Sequence, residues 1–212
     1  MPFSFTMSTN LIIVLVTAAI SYYALQNRSI MEKFILYPYQ DIREKKWYTI
    51  FTSGFLHADF NHLLFNMFTL YFLGDFCHYL FIDKYPASGD IIYPIYYISA
   101  IGMSSVPAFI KNKDNPGYRA LGASGGVSAV IFFFVLTEPW ELLYIFGVIP
   151  IPAIILGVLY LVYESYMAKK GNDNIGHGAH LAGAIYGIIS YAVIFTERLP
   201  SFLEKLLNPH FL

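Results

Sequence analysis

From Leu11 to Leu25 the chain carries no charged residue, and uncharged apolar runs recur at 91–110, 122–136, 142–163 and 177–196. A further run, His62 to Gly74, ends at Asp75. So many runs of this length cannot all be hidden inside one small soluble core. Of the 212 residues, 57% are hydrophobic and 13% charged, where a soluble domain carries roughly a quarter charged. The surplus apolar surface must face lipid. Apolar runs of about this length read as membrane helices. The expected fold is an all-α, multi-pass membrane protein.

Six spans are expected, at about 8–26, 62–81, 91–110, 124–136, 142–166 and 175–196, within a single domain 1–212 that closes on a short cytosolic or interfacial tail, 197–212. The first run has no Lys or Arg before it and no A-x-A site after it, so it reads as a membrane helix rather than a signal peptide. The connection 27–61 mixes Arg28, Lys33, Arg43, Lys45 and Lys46 with Phe34, Trp47, Phe51 and Phe55. That mixture suits short helices lying in the interface, with Pro38 expected to break any helix there. The fourth run is short against the roughly 20 residues a bilayer asks for. Its head, Ser124, is therefore expected below the membrane surface, reached by a loop that dips inward. Pro150 and Pro152 imply a kink or a late helix start near Ile151. Glu164, near the far end of the fifth span, reads as interfacial.

Three clusters interrupt the apolar pattern: His62 and Asn66 on one face of the second helix, Gly122-Ala123-Ser124-Gly125-Gly126 at the head of the fourth, and Gly176-His177-Gly178-Ala179-His180 at the head of the sixth. His180, Gly183 and Gly187 share a helix face. Gly183 and Gly187 form a G-x-x-x-G pair, which lets another helix come close to backbone contact. The glycine-rich helix beginning at Gly122 is the natural partner, and packing the two would bring His180 to Ser124. A serine hydroxyl is a weak nucleophile until a neighbouring base takes its proton. His62, Asn66 and the Ser124 N–H at a helix N-terminus would stabilise an oxyanion. No Asp or Glu lies on the sixth span near His180, so a Ser–His dyad is expected rather than a triad. No metal is expected, since the chain lacks H-E-x-x-H, and no cofactor. A net charge of −1 argues against a nucleic-acid partner. The only cysteine, Cys77, excludes an internal disulfide and reads as a small buried hydrophobe.

Leu56 to Met67 (LHADFNHLLFNM), Gly122 to Gly126 (GASGG) and Gly176 to Gly187 (GHGAHLAGAIYG), in this order on the second, fourth and sixth helices, resemble the rhomboid intramembrane serine proteases of the bacterial six-helix type. The resemblance implies a rhomboid-like bundle with a half-submerged first loop. It implies Ser124 as nucleophile, His180 as general base, His62 and Asn66 as the oxyanion-stabilising pair, and Gly122, Gly183 and Gly187 as packing glycines. The implied activity is cleavage of a transmembrane helix of another membrane protein, with lipid around both, and the implied location is a bacterial inner membrane. Two positions depart from the family pattern. Ser128 stands where many relatives have a tyrosine stacked on the catalytic histidine, so that ring must be held otherwise, and Trp47-Tyr48 stands where many have Trp-Arg. The family orientation also runs against the positive-inside rule, because only Lys84, Arg198 and Lys205 fall on the side it makes cytosolic. The rival readings are a non-proteolytic rhomboid-like protein that binds transmembrane helices, and a small transporter that uses His62, Asn66 and His180 as a path. The paired interrupted helices of an inverted-repeat transporter are missing.

Overall fold

The computed structural model describes residues 7–145, 147–171 and 175–209. Six helices of 14 residues or more carry the fold: α1 (Thr9–Gln26), α5 (Phe60–Lys84), α6 (Gly89–Lys111), α7 (Ser124–Thr137), α8 (Ala153–Lys170) and α9 (His177–Ile194). Three of them, α1, α6 and α9, are long and apolar enough by length and composition to cross a membrane, and α7 is a shorter apolar helix. On α5 the outward side is a row of exposed Phe60, Phe65, Phe68 and Phe72, the surface lipid would cover.

Helix α7 is the hub. It is buried on almost every side, with Val127, Ala129, Val130, Phe133 and Val135 in the core. A helix apolar all round is suited to such a position. Its 14 residues rise only about 21 Å against a hydrocarbon thickness of about 30 Å. The connection from α6 feeds its Ser124 end. An aromatic cluster fills the opposite half: Phe133 packs with Phe81, Tyr96, Tyr191 and Phe195 at ring-centroid distances of 5.8, 4.6, 5.4 and 5.6 Å.

Among the described residues, α7 and α9 make the closest backbone approach of any two helices at their glycines. A Cβ built on Gly183 would lie 2.0 Å from the Gly125 carbonyl oxygen, and one on Gly187 would lie 2.5 Å from that of Ala129. Only a missing Cβ lets the two backbones approach so far.

Three departures from the sequence reading have local causes. Pro38 does not break a helix but opens one, α3 (Pro38–Glu44), at a position where a missing N–H costs nothing. With α2 (Arg28–Phe34) and α4 (Thr49–Thr52) it makes segment 27–61 largely helical. The expected fifth span begins late: β1 (Leu142–Ile145) and β2 (Ile149–Pro152) pair antiparallel, with Leu142 opposite Pro152, and α8 starts at Ala153. Pro150 and Pro152 cannot donate to a helix, so helix begins only after both. The tail forms α10 (Leu199–Leu207), docked at the end of α7, where Lys205 Nζ donates to Thr137 O at 2.9 Å and to Glu138 Oε2 at 2.7 Å. A cation there suits the negative end of the helix dipole. Residues 172–174 of the expected loop before α9, and the ends of the chain at 1–6 and 210–212, lie outside the described residues.

Candidate active site

The loop before α7 is pinned by the long segment 27–61. Leu36 and Ala120 exchange two backbone hydrogen bonds, of 3.0 and 2.9 Å. Gly122 N donates to Ser53 O at 3.0 Å, and Ala123 N donates to His57 Nε2 at 3.4 Å. Three of the four residues before Ser124 are thus tied down by their backbone. Since Nε2 of His57 accepts, its Nδ1 carries the proton and donates to Ser21 Oγ, 3.1 Å away on α1. The sequence reading gave His57 no role in the site. Its signal was a second imidazole five residues before His62.

Gly122 has φ of +125°, and a Cβ on it would lie 2.7 Å from His62 Cε1, 2.9 Å from His62 Nε2 and 3.6 Å from Ser124 Oγ. The left-handed backbone and the close ring both demand glycine. His62 and Ser124 therefore border the same small space. Asn66 is buried on the same face of α5, but its Nδ2 donates to His62 O, one turn back, at 2.9 Å. That bond takes one of its two amide hydrogens.

Burial pushes the His57 imidazole down to about 3, with a further lowering from His62 and a partial offset from Asp59. His57 lies in the link ahead of α5, stays neutral when folded, and protonates near 6.5 once unfolded. The folded-state value is depressed, so its contribution is complete above about pH 6.5 and is lost as pH falls toward 3. The expected loss by pH 5 is about 2 kcal/mol. Thermal unfolding in detergent at pH 8 and pH 5 checks this: His57→Gln, which cannot protonate, should unfold with a weaker acid dependence than the unaltered chain.

Across the α7–α9 seam, His180 Nε2 lies 2.7 Å from Ser124 Oγ. Both side chains are half-buried rather than sealed. An imidazole nitrogen within hydrogen-bond reach of a serine hydroxyl at a helix N-terminus is an arrangement that can activate the hydroxyl as a nucleophile. The Rhomboid domain family model matches residues 44–197. The chain belongs to the rhomboid family.

Two plant relatives agree. The RHOMBOID-like protein 12, mitochondrial, of Arabidopsis thaliana is 31% identical over 183 residues, covering 81% of this chain and 54% of the relative. The Rhomboid-like protein 11, chloroplastic, of the same plant is 25% identical over 156 residues, covering 68% of this chain and 51% of the relative. The chain thus spans about half the length of the curated relatives it matches. Both bear organellar names and give no support to the expected bacterial inner membrane. What stands is a rhomboid-family membrane protein with apolar helices.

The expectation that His180 lacks an acidic neighbour is wrong. Glu164, read from the sequence as interfacial, is buried at 4% exposure. Its Oε1 lies 3.1 Å from His180 Nδ1 and its Oε2 lies 2.6 Å from His177 Nδ1. The acid comes from α8, not from the histidine's own helix, where it was sought. Gly157, Tyr160 and Glu164 stand three and four apart, on one face of α8 turned to α7 and α9. Gly157 packs against Val135, and Tyr160 OH lies 2.5 Å from Ser128 Oγ. The 3–4 spacing of a glycine, a tyrosine and a glutamate in an apolar run was the signal available. The site's answer to Ser128 is therefore on the neighbouring helix: Glu164 holds one edge of the His180 ring, and His177 lies edge-on at a centroid distance of 6.1 Å. Ligand atoms of Glu164, His177 and His180 fall within 4.8 Å of one another, the one such group among the described residues. The two Nδ1–carboxylate hydrogen bonds account for that closeness without an ion.

Proposed function

We propose that this rhomboid-family chain is an intramembrane serine endopeptidase that cuts transmembrane segments of other membrane proteins. All six long helices are taken to span the bilayer, with segment 27–61 in the interface. The reading rests chiefly on the 2.7 Å approach of His180 Nε2 to Ser124 Oγ, supported by family membership. Ser124 Oγ attacks the scissile carbonyl carbon while its proton passes to His180 Nε2. The carbonyl electron pair moves onto oxygen, where the Ser124 N–H, His62 and the remaining amide hydrogen of Asn66 receive it. Collapse of the tetrahedral adduct expels the amine, which takes the proton from Nε2. Water, activated by the same imidazole, then releases the acyl-enzyme. The substrate helix must unwind where it is cut, because a helical peptide bond is shielded by its own hydrogen bonds. Small or helix-breaking residues in the substrate favour this.

The test is cleavage of a tagged single-span membrane protein by the purified chain in liposomes. A discrete cut within or beside the apolar span supports the reading. Intact substrate across a panel of spans bearing Gly, Ala and Pro at different depths would favour a protein that binds transmembrane helices without cutting them.

A further inference from the structure

Beside His180 lies one group that the chemistry above leaves unused, the buried carboxylate of Glu164. Its side chain is 5% exposed, that of His177 3% and that of His180 15%. An ionised carboxylate at that depth is costly unless each oxygen finds a donor. Here each does. Oε2 lies 2.6 Å from His177 Nδ1, and Oε1 lies 3.1 Å from His180 Nδ1. His180 Nε2 must be unprotonated to accept from Ser124 Oγ, which requires the proton on Nδ1, the atom facing Glu164.

The geometry points to Glu164 as a positioning residue that makes the site a Ser124–His180–Glu164 triad, with His177 orienting the carboxylate. This inference rests on the protease reading above. The division of labour follows from the distances. His177 Nδ1–H, on the shorter bond, fixes the plane of the carboxylate. The other oxygen then accepts from His180 Nδ1–H and selects the tautomer whose Nε2 lone pair faces the serine. When Ser124 gives its proton to Nε2, the new imidazolium is stabilised by the carboxylate, which itself takes no proton. The helix positions suit the task. Glu164 is on α8, His177 and His180 lie three apart on α9, and Ser124 opens α7, so three packed helices hold the relay and no loop does. Among the described residues, Ser124 from α7, Glu164 from α8 and His177 from α9 contact His180, and His62 from α5 lies near enough to interact with it by charge. Glu164 is the sole anion among these four.

The experiment compares the unaltered full chain with Glu164→Gln and Glu164→Asp in liposomes. It reads kcat and KM for a single-span substrate, the pH dependence of kcat/KM, and the histidine tautomer by 15N NMR of labelled imidazoles. Glu164→Gln keeps the volume but removes the charge and offers His180 an amide that can favour the wrong tautomer. The expected result is a fall in kcat of about 10³-fold with KM within about threefold. The acid limb of the kcat/KM profile should move to lower pH, because the imidazolium has lost its counter-charge. Glu164→Asp, which keeps a carboxylate on a shorter arm, should recover part of the loss. In the unaltered chain the His180 resonance should report Nδ1–H, and in Glu164→Gln it should not.

A kcat within threefold of the unaltered chain with an unmoved acid limb in Glu164→Gln overturns the inference. So does an Nε2–H tautomer at His180 in the unaltered chain, or activity abolished by a chelator and restored by Zn²⁺, which would make the cluster a cation site. Should Glu164→Gln fail to fold, the tautomer in the unaltered chain decides alone. That readout needs no turnover, so it separates failure of the positioning role from failure of the protease reading.

Discussion

Ser124→Ala should lower kcat for a single-span substrate by at least about 10⁴-fold while leaving thermal stability nearly unchanged. The serine contributes one hydroxyl to the fold, its bond to His180 Nε2 at 2.7 Å. The backbone around it is held independently through Leu36, Ser53 and His57. Removing the hydroxyl therefore deletes the attacking atom and little else. His180→Ala should cost a comparable factor, and the double variant little more than either alone, because nucleophile and base act in one step and their losses do not add. Steady-state cleavage by the three variants, with unfolding temperatures measured alongside, checks both halves of the expectation. A substantial loss of stability in Ser124→Ala would mean that the hydroxyl bond is structural.

Substitution at Gly183 should have the largest effect on stability. An added Cβ would meet the Gly125 carbonyl oxygen at 2.0 Å, with Gly125 C at 2.8 Å and Cα at 3.1 Å. All three are backbone atoms on a buried helix, so no side chain can swing away to make room. The two helices must part by an ångström or so along their tightest seam. Gly183→Ala should cost about 2–3 kcal/mol and Gly183→Leu more. Function should suffer beyond the loss of folded protein. His180 sits one turn before Gly183, and Ser124 directly precedes Gly125. A displacement of about 1 Å between catalytic groups costs on the order of 10²-fold in rate. The control is Gly178→Ala, two residues from His180, where a Cβ meets nothing within 4 Å. It should leave stability unchanged or slightly raised, since alanine is the better helix former. Thermal unfolding and kcat of these variants side by side separate a packing effect from general sensitivity near the site.

These two effects were legible in the sequence to different depths. Glycines at 122, 183 and 187 and the histidine at 180 stand out in an apolar sequence, and the spacing of 180, 183 and 187 places those three on one helix face. The α7–α9 approach and the meeting of His180 with Ser124 follow from that pattern. The late start of α8 was legible too, in Pro150 and Pro152, though not the hairpin ahead of it. What could not be read were relations between elements with no shared period. Glu164 lies near the end of its helix in sequence, where charges usually reach water, and only the packing of α8 against α9 buries it. His57 and Ser53 lie in a segment whose aromatics and charges disguised it as surface. Yet that segment holds residues 120, 122 and 123 by their backbone, and at 120 and 122 the partners are main-chain atoms that carry no residue signature. Asn66 shares a face with His62 as its spacing requires, but spacing says nothing of the rotamer that turns one amide hydrogen to the helix's own carbonyl.

The measurement that tests the central claim most directly is labelling of the folded, unaltered chain with a fluorophosphonate, followed by mass-spectrometric mapping of the adduct. The reagent forms a bond only with a serine whose proton is being taken by a neighbouring base, and it needs no knowledge of the natural substrate. The account predicts a single adduct on Ser124, absent in Ser124→Ala and strongly reduced in His180→Ala. Absence of an adduct on the folded chain, an adduct on another serine, or undiminished labelling of Ser124 in His180→Ala would contradict it.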